Sequence, residues 1–150
     1  MLIFFNFMLS MLKKSINKII FRNRYIKIKI KGSSMAPKFV ENQTYIVDKN
    51  FSVSKLNRYQ PIVFFCDIHN LYHLKRLVAF PGERVQIINR NIYVDNKKIS
   101  DEIYNFSLNN LVSKNSFFCI SDNSYYVGLN CDSLKNGNIS NEKILGTIVT

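Results

Sequence analysis

Cysteine, glycine and proline are scarce in this chain. Its 150 residues include 5 glycines, 3 prolines and 3 cysteines. The cysteines (Cys66, Cys119 and Cys131) form no Cys-x-x-Cys pair and cannot all pair with one another, so we expect no disulfide framework. Cys66 and Cys119 each lie in an apolar run, where a cysteine usually serves as a small buried hydrophobic residue.

Acidic residues are also few. The chain has 10 Asp and Glu against 21 Lys and Arg, which gives a net charge of +11. Such a balance is typical of proteins that bind nucleic acid, of proteins that bind anionic membranes, and of proteins with a lysine-rich solvated exterior. No zinc-finger spacing, RRM-like aromatic signature or helix-turn-helix pattern accompanies the charge. We therefore expect no nucleic-acid partner and favour a membrane surface.

The N-terminal apolar segment is short. Its first twelve residues (MLIFFNFMLSML) fall well below the roughly 20 needed to span a bilayer as a helix. Apolar residues then continue at helical spacing to Ile20, with lysines between them. The pattern predicts that residues 1–24 form a membrane anchor or interfacial helix; a helix packed on the domain is the alternative. With no basic segment before it and no small-x-small site after it, we expect no cleaved secretory signal.

Residues 25–150 are predicted to form a mainly β domain. Residues 25–31 alternate apolar and lysine side chains, as a half-buried strand does. A tight hairpin is expected from Val85 to Val94 through Asn89 and Arg90. Further strands are predicted at 44–47, 62–66, 72–79, 84–88, 91–94, 116–120 and 144–149.

Two residues could carry nucleophilic chemistry. Ser34 lies in a Gly/Ser turn directly after a strand, where a hydroxyl can be exposed beside free backbone N–H groups. Lys75 lies in the apolar strand YHLKRLV, 41 positions later. If its side chain points inward, burial lowers the pKa of the amine, which could then take a proton from Ser34. Without such context, a loop serine and a snorkelling lysine are the usual interpretations.

Four ordered segments resemble the conserved boxes of the type I signal peptidases, a family that includes the mitochondrial inner-membrane peptidases. Residues 32–37 (GSSMAP) are similar to the nucleophile box Gly-x-Ser-Met-x-Pro. Residues 58–65 (RYQPIVFF) resemble the next strand, and 74–85 (LKRLVAFPGERV) the lysine box. Residues 121–123 (SDN) and 131–133 (CDS) resemble the C-terminal box. The resemblance covers residues 31–149 and implies a signal-peptidase-like β domain that also resembles the SOS-repressor proteases.

The resemblance also implies roles for individual residues. Ser34 is the expected nucleophile and Lys75 its general base, and the backbone N–H of Ser34 contributes to an oxyanion hole. Gly32 stands where some members carry a second, side-chain donor. Met35 is expected to line a groove that binds an extended peptide by strand addition. The expected supporting residues are Asp122, Asn130, Asp132 and Ser133, and no cofactor or metal is implied.

The same boxes contain departures from the family pattern. Ser121 and Ser124 replace a glycine and an arginine, Leu134 replaces the arginine that pairs with the position of Asp132, and Asn130 replaces a serine that bonds the lysine. They favour, as an alternative, a catalytically weak membrane-bound peptide-binding subunit of a processing complex. A related Ser-Lys maturation peptidase is a second alternative, and a basic nucleic-acid-binding β domain is a third.

The resemblance implies a place and partners as well. We expect preprotein signal peptides and membrane lipid as partners, with the catalytic domain on the extracytoplasmic face of the cytoplasmic membrane or at an organellar inner membrane. Lysines directly after the apolar segment favour keeping that side in the cytoplasm. We therefore expect either a helix that lies in the interface or a true start upstream of Met1. His69 and His73 are too isolated in the sequence to predict a metal site.

Overall fold

The computed structural model describes residues 24–100, 104–125, 128 and 131–149. The predicted N-terminal helix, residues 1–23 of the segment 1–24, and the supporting residue Asn130 lie outside the described residues. The mainly β fold class is confirmed, since strands account for most of the regular structure among the described residues and the helix Ser133–Asn136 has one turn. No helix among the described residues is long and apolar enough to cross a membrane.

Two antiparallel sheets make up the part of the domain that the structure describes. The strands are β1 (Tyr25–Lys29), β2 (Thr44–Asp48), β3 (Pro61–Cys66), β4 (Leu71–Ala79), β5 (Arg84–Ile88), β6 (Asn91–Val94), β7 (Lys97–Ser100), β8 (Leu108–Leu111), β9 (Ser116–Ile120), β10 (Ile139–Ser140) and β11 (Ile144–Ile148). Seven form one sheet in the order β1-β2-β11-β3-β4-β9-β10, and four form the other in the order β7-β6-β5-β8. Short 3-10 turns occur at Val53–Lys55 and Asn141–Lys143.

The predicted alternation and the predicted hairpin are both confirmed. In β1 the lysines Lys27 and Lys29 are exposed, while the isoleucines Ile26 and Ile28 that alternate with them are partly buried. Val85 pairs with Val94 across the hairpin, and its turn residues Asn89 and Arg90 have φ of 49° and 70°. Two consecutive residues of positive φ are the geometry of a type I′ turn, which suits the right-handed twist of the strands.

The central strand β3 and the second half of β4, from Leu74 onward, are largely buried on both faces. Apolar side chains fill β3 along its length, and Leu77 and Val78 of β4 are fully buried. Such strands appear in the sequence as apolar runs, because neither face meets water. One core cluster, of Ile30, Met35, Phe39, Val47, Val63, Leu74 and Ile148, lies beneath the turn that follows β1.

The expectation about the cysteines is wrong for one pair. Cys66, at the end of β3, and Cys131, just before the one-turn helix, form a disulfide with their Cα atoms 6.4 Å apart. Sequence spacing gave no indication of this pairing, because the two residues are 65 positions apart and meet through the fold. Cys119 is free and buried, as predicted for a small hydrophobic residue.

Candidate active site

Ser34 and Lys75 meet in the fold. Ser34 lies in the turn after β1, and Lys75 lies on β4, where it pairs with Ile62 of β3. Lys75 Nζ is 2.8 Å from Ser34 Oγ, which is hydrogen-bond distance. A hydroxyl and an amine in direct contact form the pair that a Ser-Lys nucleophilic mechanism needs.

The environment of Lys75 is unusual for a lysine. Its side chain is 1% exposed, whereas lysines are almost never fully buried without a partner. Burial lowers the pKa of Lys75 to about 8, and the nearby carboxylates of Asp132 and Asp122 oppose that shift. The surroundings thus bring the amine closer to its neutral form at ordinary pH than it is in water.

The turn that carries Ser34 is held from both sides. Gly32, with φ of 81°, donates its N–H to Glu41 Oε1 over 2.9 Å. The Asn123 N–H donates to the Ser34 carbonyl at 2.9 Å, and the Asn123 side-chain amide donates to the Ser33 carbonyl at 3.2 Å. Asn123 therefore fixes the serine turn from the segment after β9. Asn123 belongs to the C-terminal box recognised in the sequence, but the sequence did not predict its contacts with the serine turn.

The two acidic residues of the C-terminal box have different partners. Asp122 forms a two-bonded ion pair with Arg76, the residue after Lys75, with Nε 2.8 Å from Oδ1. Asp132 is buried and accepts a hydrogen bond from Ser121 Oγ at 3.0 Å. Asp132 also caps the helix Ser133–Asn136 by accepting from the Lys135 N–H. Both acids thus hold elements next to Lys75.

Ser121 compensates in part for a departure from the family pattern. It replaces a glycine, and its hydroxyl supplies Asp132 with a donor although Leu134 stands where an arginine was expected. Ser133 is buried, and its hydroxyl accepts from the Cys119 N–H at 2.9 Å, so its contact is to β9. The sequence did not predict the contact between Ser121 and Asp132, because serine is a common loop residue and the two residues are 11 positions apart.

A groove of about 500 Å³ contains both Ser34 and Lys75. Its walls come from residues 28–32, at the end of β1 and just after it, and from residues 71–75 of β4. β1 is an edge strand, and β9 pairs with β4 only from Arg76 onward among the described residues. Unpaired strand edges can accept an extended peptide by backbone hydrogen bonding. Met35 lines the groove too, but it is 2% exposed and belongs mostly to the core.

Comparison with known proteins identifies the family. The model of the family described as "Signal peptidase, peptidase S26" matches residues 4–150. This chain belongs to the signal peptidase family. The resemblance in the sequence is thereby confirmed, and membership supports signal-peptide removal by a peptidase as its function.

Individual relatives agree with this membership. The chain is 26% identical to "Signal peptidase I V" of Bacillus subtilis (strain 168), with 83% of each chain covered. It is 33% identical to "Signal peptidase I" of Bacillus caldolyticus, over 50% of this chain and 41% of that one. A crystal structure of a signal peptidase I from Enterococcus faecalis V583 superposes with a TM-score of 0.54 at 21% identity, covering 66% of this chain and all of the other. At that identity, the superposition supports the fold.

Proposed function

We propose that this signal peptidase family member is a serine endopeptidase that removes signal peptides from exported preproteins, with Ser34 as nucleophile and Lys75 as general base. The observation that carries the proposal is the 2.8 Å contact between Lys75 Nζ and Ser34 Oγ, in a groove bordered by two strand edges that have no partner strand among the described residues. This contact joins two residues 41 positions apart in the sequence.

The proposed reaction has two steps. Ser34 Oγ attacks the scissile carbonyl carbon while its proton passes to Lys75 Nζ, and the peptide C–N bond breaks as Lys75 protonates the leaving amine. The acyl group is then bound to Ser34 as an ester. Water attacks this ester while Lys75 takes its proton, and Lys75 then passes the proton to Ser34 Oγ as the ester bond breaks, which releases the signal peptide and restores Ser34. The Ser34 backbone N–H is proposed to stabilise the oxyanion.

We further propose that the reaction takes place at a membrane surface. Lys27, Lys29 and Lys31 are exposed, at every second position along and just after the edge strand β1. Lys29 and Lys31 also line the groove that contains Ser34. Attraction between these lysines and anionic lipid headgroups would place the groove beside the bilayer, where a signal peptide lies.

Cleavage of a preprotein with an Ala-x-Ala site, measured in detergent or lipid with the full chain, tests the proposed dyad. We expect wild type to cut after the second alanine. Ser34→Ala and Lys75→Ala should each lower kcat/KM by at least about 1000-fold, because residues that act as one unit fail together. Ser33→Ala is the matched control: it removes the neighbouring hydroxyl and should retain activity.

Circular dichroism should show that each variant keeps the β fold. A folded wild type that does not cleave, or a folded Ser34→Ala variant that still does, would contradict the dyad. The first result would favour the alternative of a peptide-binding subunit of a processing complex.

A further inference from the structure

A cluster of potential metal ligands lies at the turn between β3 and β4, outside the Ser34–Lys75 pair. Cys66 ends β3, His69 lies in the turn, and His73 lies on β4. One ligand atom from each of the three residues lies within 4.8 Å of the other two. The disulfide brings the sulfur of Cys131 to the same place. The histidines, isolated in the sequence, are thus neighbours in the fold.

The distances within the cluster match those around a tetrahedral metal ion. With bonds of about 2.3 Å to sulfur and 2.05 Å to nitrogen, tetrahedral angles separate two nitrogens by about 3.4 Å and a sulfur from a nitrogen by about 3.6 Å. His69 Nδ1 and His73 Nε2 are 3.2 Å apart, and Cys66 Sγ is 3.7 Å from His69 Nδ1. These two distances therefore already suit one ion, and one ligand atom from each of the three residues lies within 4.8 Å of the others.

We propose that Cys66, His69, His73 and Cys131 bind one Zn²⁺ ion when the two cysteines are reduced. Two thiolates and two imidazoles are a common donor set of structural zinc sites, which are four-coordinate and closed. Both cysteines are buried and both histidines are partly buried. The fourth ligand, Cys131, needs the largest adjustment, since the two sulfurs must separate from bonding distance to about 3.8 Å.

Conversion between the two forms is a balanced reaction. A dithiol reductant supplies two electrons and two protons to the Cys66–Cys131 bond and itself becomes a disulfide. The two thiols then release two protons as their thiolates bind the metal. The disulfide and the zinc site are mutually exclusive, because they use the same two sulfur atoms.

The position of the site indicates what the metal would stabilise. Cys131 directly precedes Asp132, the buried acid that accepts from Ser121 and caps the helix Ser133–Asn136. Either the disulfide or the bound zinc would tie this segment to the β3–β4 turn. Zinc would therefore preserve in reducing conditions a connection that the disulfide makes in oxidising conditions. This inference does not rest on the proposed peptidase activity.

Metal content measured on the full chain tests the proposal. The protein is reduced with a dithiol under anaerobic conditions, freed of reductant and supplied with Zn²⁺. We expect one zinc per chain in the reduced form and none in the disulfide form. Loss of one of the four ligands in His69→Ala or His73→Ala should weaken binding by at least about tenfold. Both variants keep Cys66 and Cys131, so they separate the metal site from the disulfide.

Cys119→Ala is the matched control, because it removes the buried cysteine that lies outside the cluster; it should bind zinc as wild type does. Substitution by Co²⁺ gives a second measurement on wild type, because thiolate ligands produce a sulfur-to-cobalt charge-transfer absorption. Its absence overturns the proposal even if a histidine variant fails to fold. The proposal is also overturned by equal zinc binding in the reduced and disulfide forms, by unchanged binding in folded His69→Ala, or by a disulfide that resists reduction in the folded protein.

Discussion

At the scale of single residues, the proposed Ser34–Lys75 dyad is held in place by neighbours that do not touch Ser34 Oγ or Lys75 Nζ. Asn123 donates from its backbone and its side chain to the carbonyls of Ser34 and Ser33. Arg76 pairs with Asp122, one position before Asn123. A chain of contacts thus runs from β4 through the segment after β9 to the serine turn. We expect the position of Ser34, and therefore the rate of peptide cleavage, to depend on Asn123.

Replacing Asn123 by alanine should lower kcat more than it changes KM. The backbone bond to Ser34 remains, but the amide bond to the Ser33 carbonyl is lost, which corresponds to about 1 kcal/mol and hence roughly fivefold in rate. Steady-state cleavage of the Ala-x-Ala preprotein measures both constants. Ser124→Ala changes the exposed next residue and should leave them unaltered. An Asn123→Ala enzyme with wild-type kcat would show that the amide does not position the turn.

The proximity of Ser34 and Lys75 and the identity of several supporting residues could be predicted from the sequence, whereas the contacts of those supporting residues could not. Ser34 and Lys75 lie in segments whose residue types and order were informative. The contacts of Ser121 with Asp132 and of Arg76 with Asp122 join common polar residues across the fold. Their partners depend on how β4 and β9 align, and this register shifts between Leu77 and Ala79. Periodicity alone does not reveal such a shift.

At the scale of elements, the strands with strong apolar patterns were the predictable ones. The predicted ranges 84–88, 91–94 and 116–120 agree with β5, β6 and β9, and the other predicted strands agree to within a residue or two. The strands β7, β8 and β10 were missed. β8 has the sequence LNNL and β7 the sequence KKIS, and neither strictly alternates apolar and polar residues. They form because partner strands offer them hydrogen bonds, which a local pattern does not show.

At Gly146, strand β11 comes very close to the end of β2. A Cβ there would collide with the backbone oxygen of Asp48 and lie 2.8 Å from Val47 Cγ1. Because backbone cannot move aside as a flexible side chain can, Gly146→Ala should destabilise the fold by about 2–3 kcal/mol through overpacking between β11 and β2. Urea denaturation measures the free energy of unfolding.

Gly137→Ala provides the comparison. An added Cβ at Gly137 meets nothing within 4 Å, although its φ of 75° disfavours alanine. The expected loss there, from backbone strain alone, is about 1–3 kcal/mol, because φ of 75° with ψ of −162° is a conformation nearly confined to glycine. A loss below about 1 kcal/mol in Gly146→Ala would mean that the contact between β11 and β2 is looser than the structure shows.

At the scale of the whole molecule, charge and topology combine on one face. The edge strand β1 borders the groove that contains Ser34 and Lys75, and Lys29 and Lys31 line it. The net charge of +11 was evident in the sequence, but its arrangement relative to the groove required the fold, which brings β1 and β4 together from distant parts of the chain. Membrane binding can therefore be tested for its dependence on this row of lysines along β1, as distinct from its dependence on net charge.

The full chain should bind vesicles containing anionic lipid more tightly than neutral vesicles, and added salt should weaken that binding. Replacing Lys27, Lys29 and Lys31 by glutamine should reduce the affinity by about tenfold or more, because each lysine near an anionic surface contributes on the order of 1 kcal/mol. Cosedimentation with vesicles of fixed composition measures the partition coefficient. The other basic residues and residues 1–23 remain unchanged in this variant, so any loss belongs to the row along β1.

A charge-matched variant distinguishes the effect of the lysine row along β1 from the effect of net charge. Lys55, Lys97 and Lys114 are exposed on other elements, and their replacement by glutamine removes the same total charge. If the β1 row faces the membrane, this variant should bind nearly as wild type does, because charges more than a Debye length of about 8 Å from the surface are screened at physiological salt. Equal losses in the two variants would mean that the protein is attracted by its overall charge without a preferred face, and the groove would then have no fixed orientation toward the bilayer.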